Sequence, residues 1–310
     1  MSRTRIALVA VGLVVILGAL FFFEPSHKQR LILATTTSTH DSGLLDVIVP
    51  EFERALLYQV SVQVVSVGSG QAITMGRTGN ADVLLVHSRA AENLFVADGQ
   101  GVLRCCVCYN DFIIVGPSTD PANVASSISA IDAFKRIASA GEKGTAVFIS
   151  RGDQSGTNVK ELAIWSAAGI NPSGRSWYEE SGTGMGNTLT MASQLQGYTL
   201  ADRATWATMQ SKLSLKILRQ GDKILLNPYG VIAVNPEKHP NVNFKMAKEF
   251  MYFLISVDGQ IDIGNFMSQG EVLFHPIFGK CASAIGCPTQ AIEQTYYQQL
   301  QNEFGHQFGS

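Results

Sequence analysis

The chain has 310 residues, room for one large domain or two ordinary ones, with 23 Lys plus Arg against 25 Asp plus Glu and a formal charge of −2. That near-neutral balance carries no basic footprint for nucleic acid, and no nucleic-acid partner is expected. With 15% charged and 46% hydrophobic residues, general disorder is excluded as well.

Residues 6–23 form an uncharged apolar run of 18 residues behind Arg3 and Arg5, the pattern of an export signal. The run is long for a signal core and slightly short for an average spanning helix. It ends in Phe21-Phe22-Phe23-Glu24-Pro25, with neither a small-x-small cleavage site nor a cysteine after it. Residues 1–26 therefore read as a signal peptide or an N-terminal membrane anchor. The body is periplasmic or otherwise extracytoplasmic on either reading, and residues 6–23 tether it to the membrane on the second. Losing Arg3 and Arg5 takes the formal charge from −2 to −4, so the body is slightly acidic.

The elements then alternate. Residues 31–34 make a short apolar strand that ends in Thr35-Thr36-Thr37-Ser38. Leu45, Ile48, Val49, Phe52 and Leu56 recur at helical spacing, and Pro50 should kink that helix rather than end it, because the spacing continues beyond it. Val60, Val62 and Val64 alternate with polar residues as a half-buried strand, and Gly68-Ser69-Gly70 opens the next helix. Residues 83–86 and 112–115 are buried strands, the second closed by Gly116 and Pro117. This βαβαβ order predicts a parallel sheet flanked by helices. A second unit follows, with a strand at 146–149, a helix at 160–168, a glycine-rich turn at 181–186 opening a helix through 195, and a strand at 213–218. The chain returns through a strand at 231–234 and closes with helices around 244–255 and 260–266. The predicted fold is α/β, with two lobes, each a mostly parallel sheet flanked by helices, joined by two crossings near residues 116 and 228. Lobe 1 takes residues 27–116 plus 228–278, lobe 2 residues 117–227, and residues 279–310 form a C-terminal extension.

Four turns just ahead of predicted helices share one chemistry: 35–38, 68–70, 150–157 and 181–184. Free N–H groups and the positive dipole end of each helix point into the cleft at such places, where ligands bind in open α/β sheets. Hydroxyls add donors of adjustable direction and glycines let the backbone approach closely. The candidate ligand residues are Thr36, Thr37, Ser38, Ser69, Arg151, Ser155, Gly156, Thr157, Gly182 and Thr183. Each hydroxyl also suits an ordinary helix cap. Arg151, a lone cation at a hydroxyl-rich helix start, suits a compact anion, although Asp153 is near enough in sequence to pair with it.

Enzyme chemistry has little support. Neither Ser69 nor Ser155 stands in Gly-x-Ser-x-Gly, and P-loop and His-Glu-x-x-His patterns are missing. Of the six histidines only His40 adjoins a candidate turn, and nothing in reach offers it a nucleophile. Cys105, Cys106 and Cys108 lack a fourth ligand at zinc spacing, so no metal and no cofactor is expected. Cys281 and Cys287 enclose a short glycine-containing loop and suit a local disulfide in an oxidising compartment.

Several segments resemble the tungstate-binding proteins of ABC-type uptake systems. They are Leu33-Ala-Thr-Thr-Thr-Ser-Thr-His-Asp-Ser-Gly-Leu-Leu-Asp46, Ala81-Asp-Val-Leu-Leu-Val-His87, Tyr109-Asn-Asp-Phe-Ile-Ile-Val-Gly-Pro117, Ser150-Arg-Gly-Asp-Gln-Ser-Gly-Thr157 and Asn227-Pro-Tyr-Gly-Val-Ile-Ala-Val-Asn-Pro236. The resemblance spans about residues 31–278. It implies a periplasmic-binding-protein fold of type II, a tetrahedral oxyanion in the interlobe cleft, and an inner-membrane permease as partner. Thr36, Thr37 and Ser38 fall on one family motif, and Arg151 and Thr157 on the other. His40 and Ser88-Arg89 depart from the family pattern. Only the resemblance favours tungstate over molybdate or another oxyanion, and an anchored anion sensor that kept the fold is the alternative from another class.

Overall fold

The computed structural model describes residues 28–268, 270–278, 287–306 and 308; the expected leader at 1–26 and Cys281 lie outside them. Among the described residues no helix is long and apolar enough to cross a membrane.

In chain order, β1 (Gln29–Thr36) leads into the short α1 (Thr37–Asp41), then α2 (Leu44–Ala55), β2 (Val60–Val67), α3 (Ser69–Arg77), β3 (Val83–Val86), α4 (Arg89–Ala97) and β4 (Gly101–Pro117). The second unit holds α5 (Ala130–Glu142), β5 (Phe148–Ser150), α6 (Gly156–Ala167), β6 (Tyr178–Glu180), α7 (Met185–Gln194), β7 (Thr199–Asp202), α8 (Arg203–Met209) and β8 (Leu215–Arg219). The chain returns through β9 (Leu226–Val234) to α9 (Phe244–Ile255) and α10 (Val257–Asn265). The short strands β10 (Met267–Ser268), β11 (Glu271–Val272) and β12 (His275–Pro276) and the terminal α11 (Gln290–Phe304) complete it.

Local sequence explains the first unit. The helical spacing of Leu45, Ile48 and Phe52 puts all three in the core, and Pro50 sits inside α2 without ending it. β2, β1 and β3 pair in parallel, with Leu33 opposite both Val64 and Val83. β9 then adds antiparallel to β3, and β4 antiparallel to β9. Helices cover both faces of this sheet. Phe52 of α2 packs edge-on against Phe250 of α9, with ring centroids 5.0 Å apart, and Ile73 of α3 and Phe95 of α4 fill the opposite face.

β4 is one 17-residue strand shared by both units. As far as Asp111 it pairs with β9; from Phe112 it pairs with β7 and β8. The partner change thus precedes Gly116 and Pro117, which mark only where the strand ends. The second unit surrounds its part of β4 with Phe134 of α5 and Trp165 of α6 on one face, and with Leu189 of α7 and Trp206 of α8 on the other. The result is a two-lobed α/β fold that the chain crosses twice, along β4 and on entering β9.

The disulfide corrects the sequence expectation. Cys287 is bonded to Cys106, 181 residues away, and not to Cys281. Short spacing favours a local loop, but the strand faces of β4 decide here, with a register shift between Cys106 and Cys108 that turns those two apart. Cys105 and Cys108 face the main core as buried free thiols, while Cys106 points the other way, toward Ile277 and Cys287. Glu293 of α11 accepts the Cys106 N–H at 2.8 Å, and Leu300, Phe304 and Phe308 pack into the core around Phe52. The bond therefore staples the C-terminal segment to the crossing strand. Cys287→Ser is expected to lower unfolding free energy by about 2–4 kcal/mol, because it releases a long loop in the unfolded chain. Urea unfolding with the wild type beside it measures this; equal midpoints would make the staple idle.

Candidate functional site

The first three turns converge on one cleft of about 660 Å³, whose lining includes Thr37, Gly68, Gln71, Arg151, Asp153 and Gly184. A smaller recess of about 270 Å³ shares Thr37, Arg151 and Gly184 with it and adds Ser38.

Each turn is built by local capping. Thr36 ends β1 and caps α1, its Oγ1 accepting the Thr39 N–H at 3.2 Å. That leaves Thr36 and Ser38 buried and Thr37 exposed at the cleft. Ser69 is the first residue of α3, and its hydroxyl is buried without a hydrogen-bond partner among the described residues. In the third turn Gly152 adopts φ +60°, a left-handed backbone that favours glycine and lets the chain double back toward α6. Ser155 caps α6 by accepting the Asn158 N–H at 3.2 Å, and Gly156 and Thr157 follow in its first turn. Among the described residues Thr157 Oγ1 is likewise buried without a partner, as is Ser127 Oγ away from these turns. Ser69 and Thr157 are each only 2% exposed.

The two lobes touch here. A Cβ on Gly156 would lie 2.7 Å from His87 Cε1 and 3.5 Å from Ser69 Oγ, so only glycine admits this approach. Ser69 of α3, His87 after β3 and Gly156 of α6 therefore meet where the two lobes are in contact.

Arg151, 6% exposed, supplies the positive charge. Its Nη2 and Nε donate to Asp153 Oδ2 at 2.5 and 3.1 Å, and Asp153 Oδ1 accepts the Ser155 N–H at 3.1 Å. Asp153 is thus occupied by its own turn. The fourth turn contributes less than its sequence suggests: the Gly182 N–H donates to the Arg151 carbonyl at 2.9 Å, and Thr183 is exposed. Gly184, which caps α7, is the residue of that turn lining the cleft. Arg89 lies away from it, 3.6 Å from Glu92 on α4.

His87, at the end of β3, is a site residue that helix-start reasoning passes over. Its Nε2 is 3.1 Å from Thr36 Oγ1 and 3.2 Å from Ser38 Oγ. Burial foremost, and then the charges of Arg151 and Lys160, lower its pKa to about 4, against the opposing effect of its bond to Asn227, so the ring is neutral at pH 7. The available signal was its position directly after a fully buried strand, at the same sheet edge as the turns. His40 is exposed.

Chemically the cleft lining offers donors in Thr37, Ser38 and the Arg151 guanidinium, and the N-termini of α3 and α6 carry the buried Ser69 and Thr157 hydroxyls. An unpartnered buried hydroxyl costs about 1–3 kcal/mol, so Ser69 and Thr157 call for an acceptor that the protein itself does not provide. Thr157→Val should therefore leave thermal stability equal or slightly higher while weakening anion binding by about tenfold. Thermal melts with and without oxyanion check both halves; a destabilised variant with wild-type affinity would remove Thr157 from the site.

The chain matches a family model described as a PBP superfamily domain over residues 24–258. A Haloferax volcanii protein with the provisional description of ABC transporter anion-binding protein is 51% identical over 253 residues, 80% of this chain and 72% of its own. The tungstate-binding protein TupA of Peptoclostridium acidaminophilum is 48% identical over 253 residues, 80% of this chain and 86% of its own. A crystal structure described as the tungstate ABC transporter from Geobacter sulfurreducens aligns with TM-score 0.68 and 47% identity, over 76% of this chain and 98% of that one. The chain belongs to the PBP superfamily and, within it, to the family of the TupA tungstate-binding proteins.

Proposed function

We propose that the protein captures tungstate in the interlobe cleft outside the cytoplasm and delivers it to an ABC transporter permease. The observation that carries this reading is the pair of buried, unpartnered hydroxyls, Ser69 Oγ from one lobe and Thr157 Oγ1 from the other. A tungstate dianion is strongly hydrated, so a cleft must replace its water with donors. Charge-assisted hydrogen bonds contribute about 1.5–3 kcal/mol each, and several converging ones offset the desolvation cost. In this reading Thr36, Thr37, Ser38, Ser155 and the Gly156 N–H join Ser69, Thr157 and Arg151 around the anion, while Gly182 and Thr183 remain peripheral. Because both lobes donate to one ligand, the anion favours the closed arrangement, and the closed form is what the permease recognises.

The geometry supports binding without catalysis. His87 Nε2 meets Thr36 and Ser38, and among the described residues no base is hydrogen-bonded to the Ser69 hydroxyl. It also supports a proton-free oxyanion over hydrogen phosphate, since Asp153, the carboxylate lining the larger cleft, is engaged by Arg151 and the Ser155 N–H. Molybdate shares tungstate's charge and shape and is the nearest competitor. Calorimetric titration with tungstate, molybdate, sulfate and phosphate tests the reading. One-to-one tungstate binding with phosphate silent supports it; silence from all four oxyanions leaves a fold without this ligand.

A further inference from the structure

His87 is held from both sides. Its Nδ1 is 3.1 Å from Asn227 Oδ1. Asn227 Nδ2 donates to Asn110 Oδ1 at 2.8 Å, and Asn110 Nδ2 donates to Tyr229 Oη at 3.2 Å, an arrangement that turns the Asn227 Oδ1 toward His87. An amide oxygen only accepts, so Nδ1 carries the proton and Nε2 of the neutral ring presents a lone pair. That single lone pair faces two hydroxyls, Thr36 Oγ1 and Ser38 Oγ, which are themselves 3.1 Å apart. It accepts one hydroxyl proton at a time, and Thr36 Oγ1 has a further partner in Thr39 Oγ1 at 2.6 Å, so Ser38, which lines the smaller recess, is the hydroxyl whose direction the ring governs.

We propose, resting on the oxyanion-binding reading above, that His87 is the positioning residue of that site. Neutral, it orients the Thr36 and Ser38 hydroxyls; with an anion bound it takes up a proton, and Nε2–H then donates to these oxygens, which frees the Ser38 hydroxyl to turn to the anion. The charged groups acting on the ring are Arg151 ahead of α6 and Lys160 on α6, both cationic, while Tyr229 of β9 packs against it with centroids 4.7 Å apart. A dianion beside Arg151 offsets that repulsion. The bound protein therefore holds the His87 proton more tightly than the free protein, whose ring titrates near pH 4. By linkage, affinity rises as pH falls through the bound-state pKa and levels off below the free-state one.

The test is calorimetry of the full chain with micromolar tungstate at several pH values, in buffers of different protonation enthalpy. The wild type should bind about tenfold more tightly near pH 5 than near pH 7, with net proton uptake. His87→Gln keeps an acceptor near the hydroxyls without a titrating ring; it should still bind tungstate but lose the pH-dependent gain and the uptake. It also corrects for protonation of tungstate itself. Asn227→Asp, which sets a carboxylate on Nδ1–H, should move the rise to higher pH and serves if His87→Gln does not fold. A wild-type chain that binds, with the same pH profile in His87→Gln or no displacement in Asn227→Asp, overturns the proposal and leaves oxyanion binding standing. Weaker binding in His87→Gln at every pH, with the wild-type slope, likewise overturns it. No tungstate binding by the wild type overturns both.

Discussion

Arg151→Ala is expected to weaken tungstate binding by about a hundredfold, the upper part of what one charge-assisted contact supplies. Two effects add. The guanidinium leaves a site where it is 6% exposed and lines both recesses. Its loss also uncovers Asp153, whose Oδ2 is held by Arg151 Nη2 and Nε. An uncompensated carboxylate at the cleft wall then repels the incoming dianion. Adding Asp153→Asn should therefore recover about tenfold, whereas Asp153→Asn alone changes affinity little. Calorimetry on the three variants closes the cycle. Unchanged affinity in Arg151→Ala removes the residue from the site, and no recovery in the double variant means that Asp153 does not face the anion.

The second large effect is steric. Gly156→Ala places a Cβ 2.7 Å from His87 Cε1 and 2.8 Å from its Nδ1. The ring is anchored to Asn227 and packed on Tyr229, so it has little room to yield. The lobes must part by a few tenths of an ångström, and donors from α6 then miss the anion. An affinity loss of about tenfold or more is expected, with a smaller contraction on ligand addition in solution X-ray scattering. Wild-type binding in Gly156→Ala would show that the close approach at His87 is not needed for capture.

How far sequence carries can be judged from particular residues. The Ser150–Thr157 turn is readable because a buried strand, a left-handed glycine and a serine cap are all local. Ser69 is readable for the same reason, as the first residue of an amphipathic helix. Gly182 and Thr183 look equivalent in sequence, yet the Gly182 N–H is claimed by the Arg151 carbonyl, a contact between turns that no local pattern encodes. The first half of β4 escapes a strand reading because its register shifts twice against β9 and Leu103 takes φ +54°, which breaks the two-residue alternation. The Cys106–Cys287 bond escapes because spacing along the chain says nothing about which strand face a distant tail meets. His87 escapes because its task is defined by partners at positions 36, 38 and 227, at the end of β1, in α1 and at the start of β9.

The shared strand β4 has a mechanical meaning. The crossing is a pair of continuous antiparallel strands, with Asn110 opposite Asn227 and Asp111 opposite Leu226, and not two slack loops. A hydrogen-bonded ribbon resists stretching and shear more than twisting, so a crossing of this kind acts as a torsion spring between the lobes. Such a spring confines the lobes to a narrow arc of orientations, which lowers the entropy cost of bringing them together on one ligand. A ligand of only five atoms, too small to offer much contact area, can then command the orientation of the whole molecule.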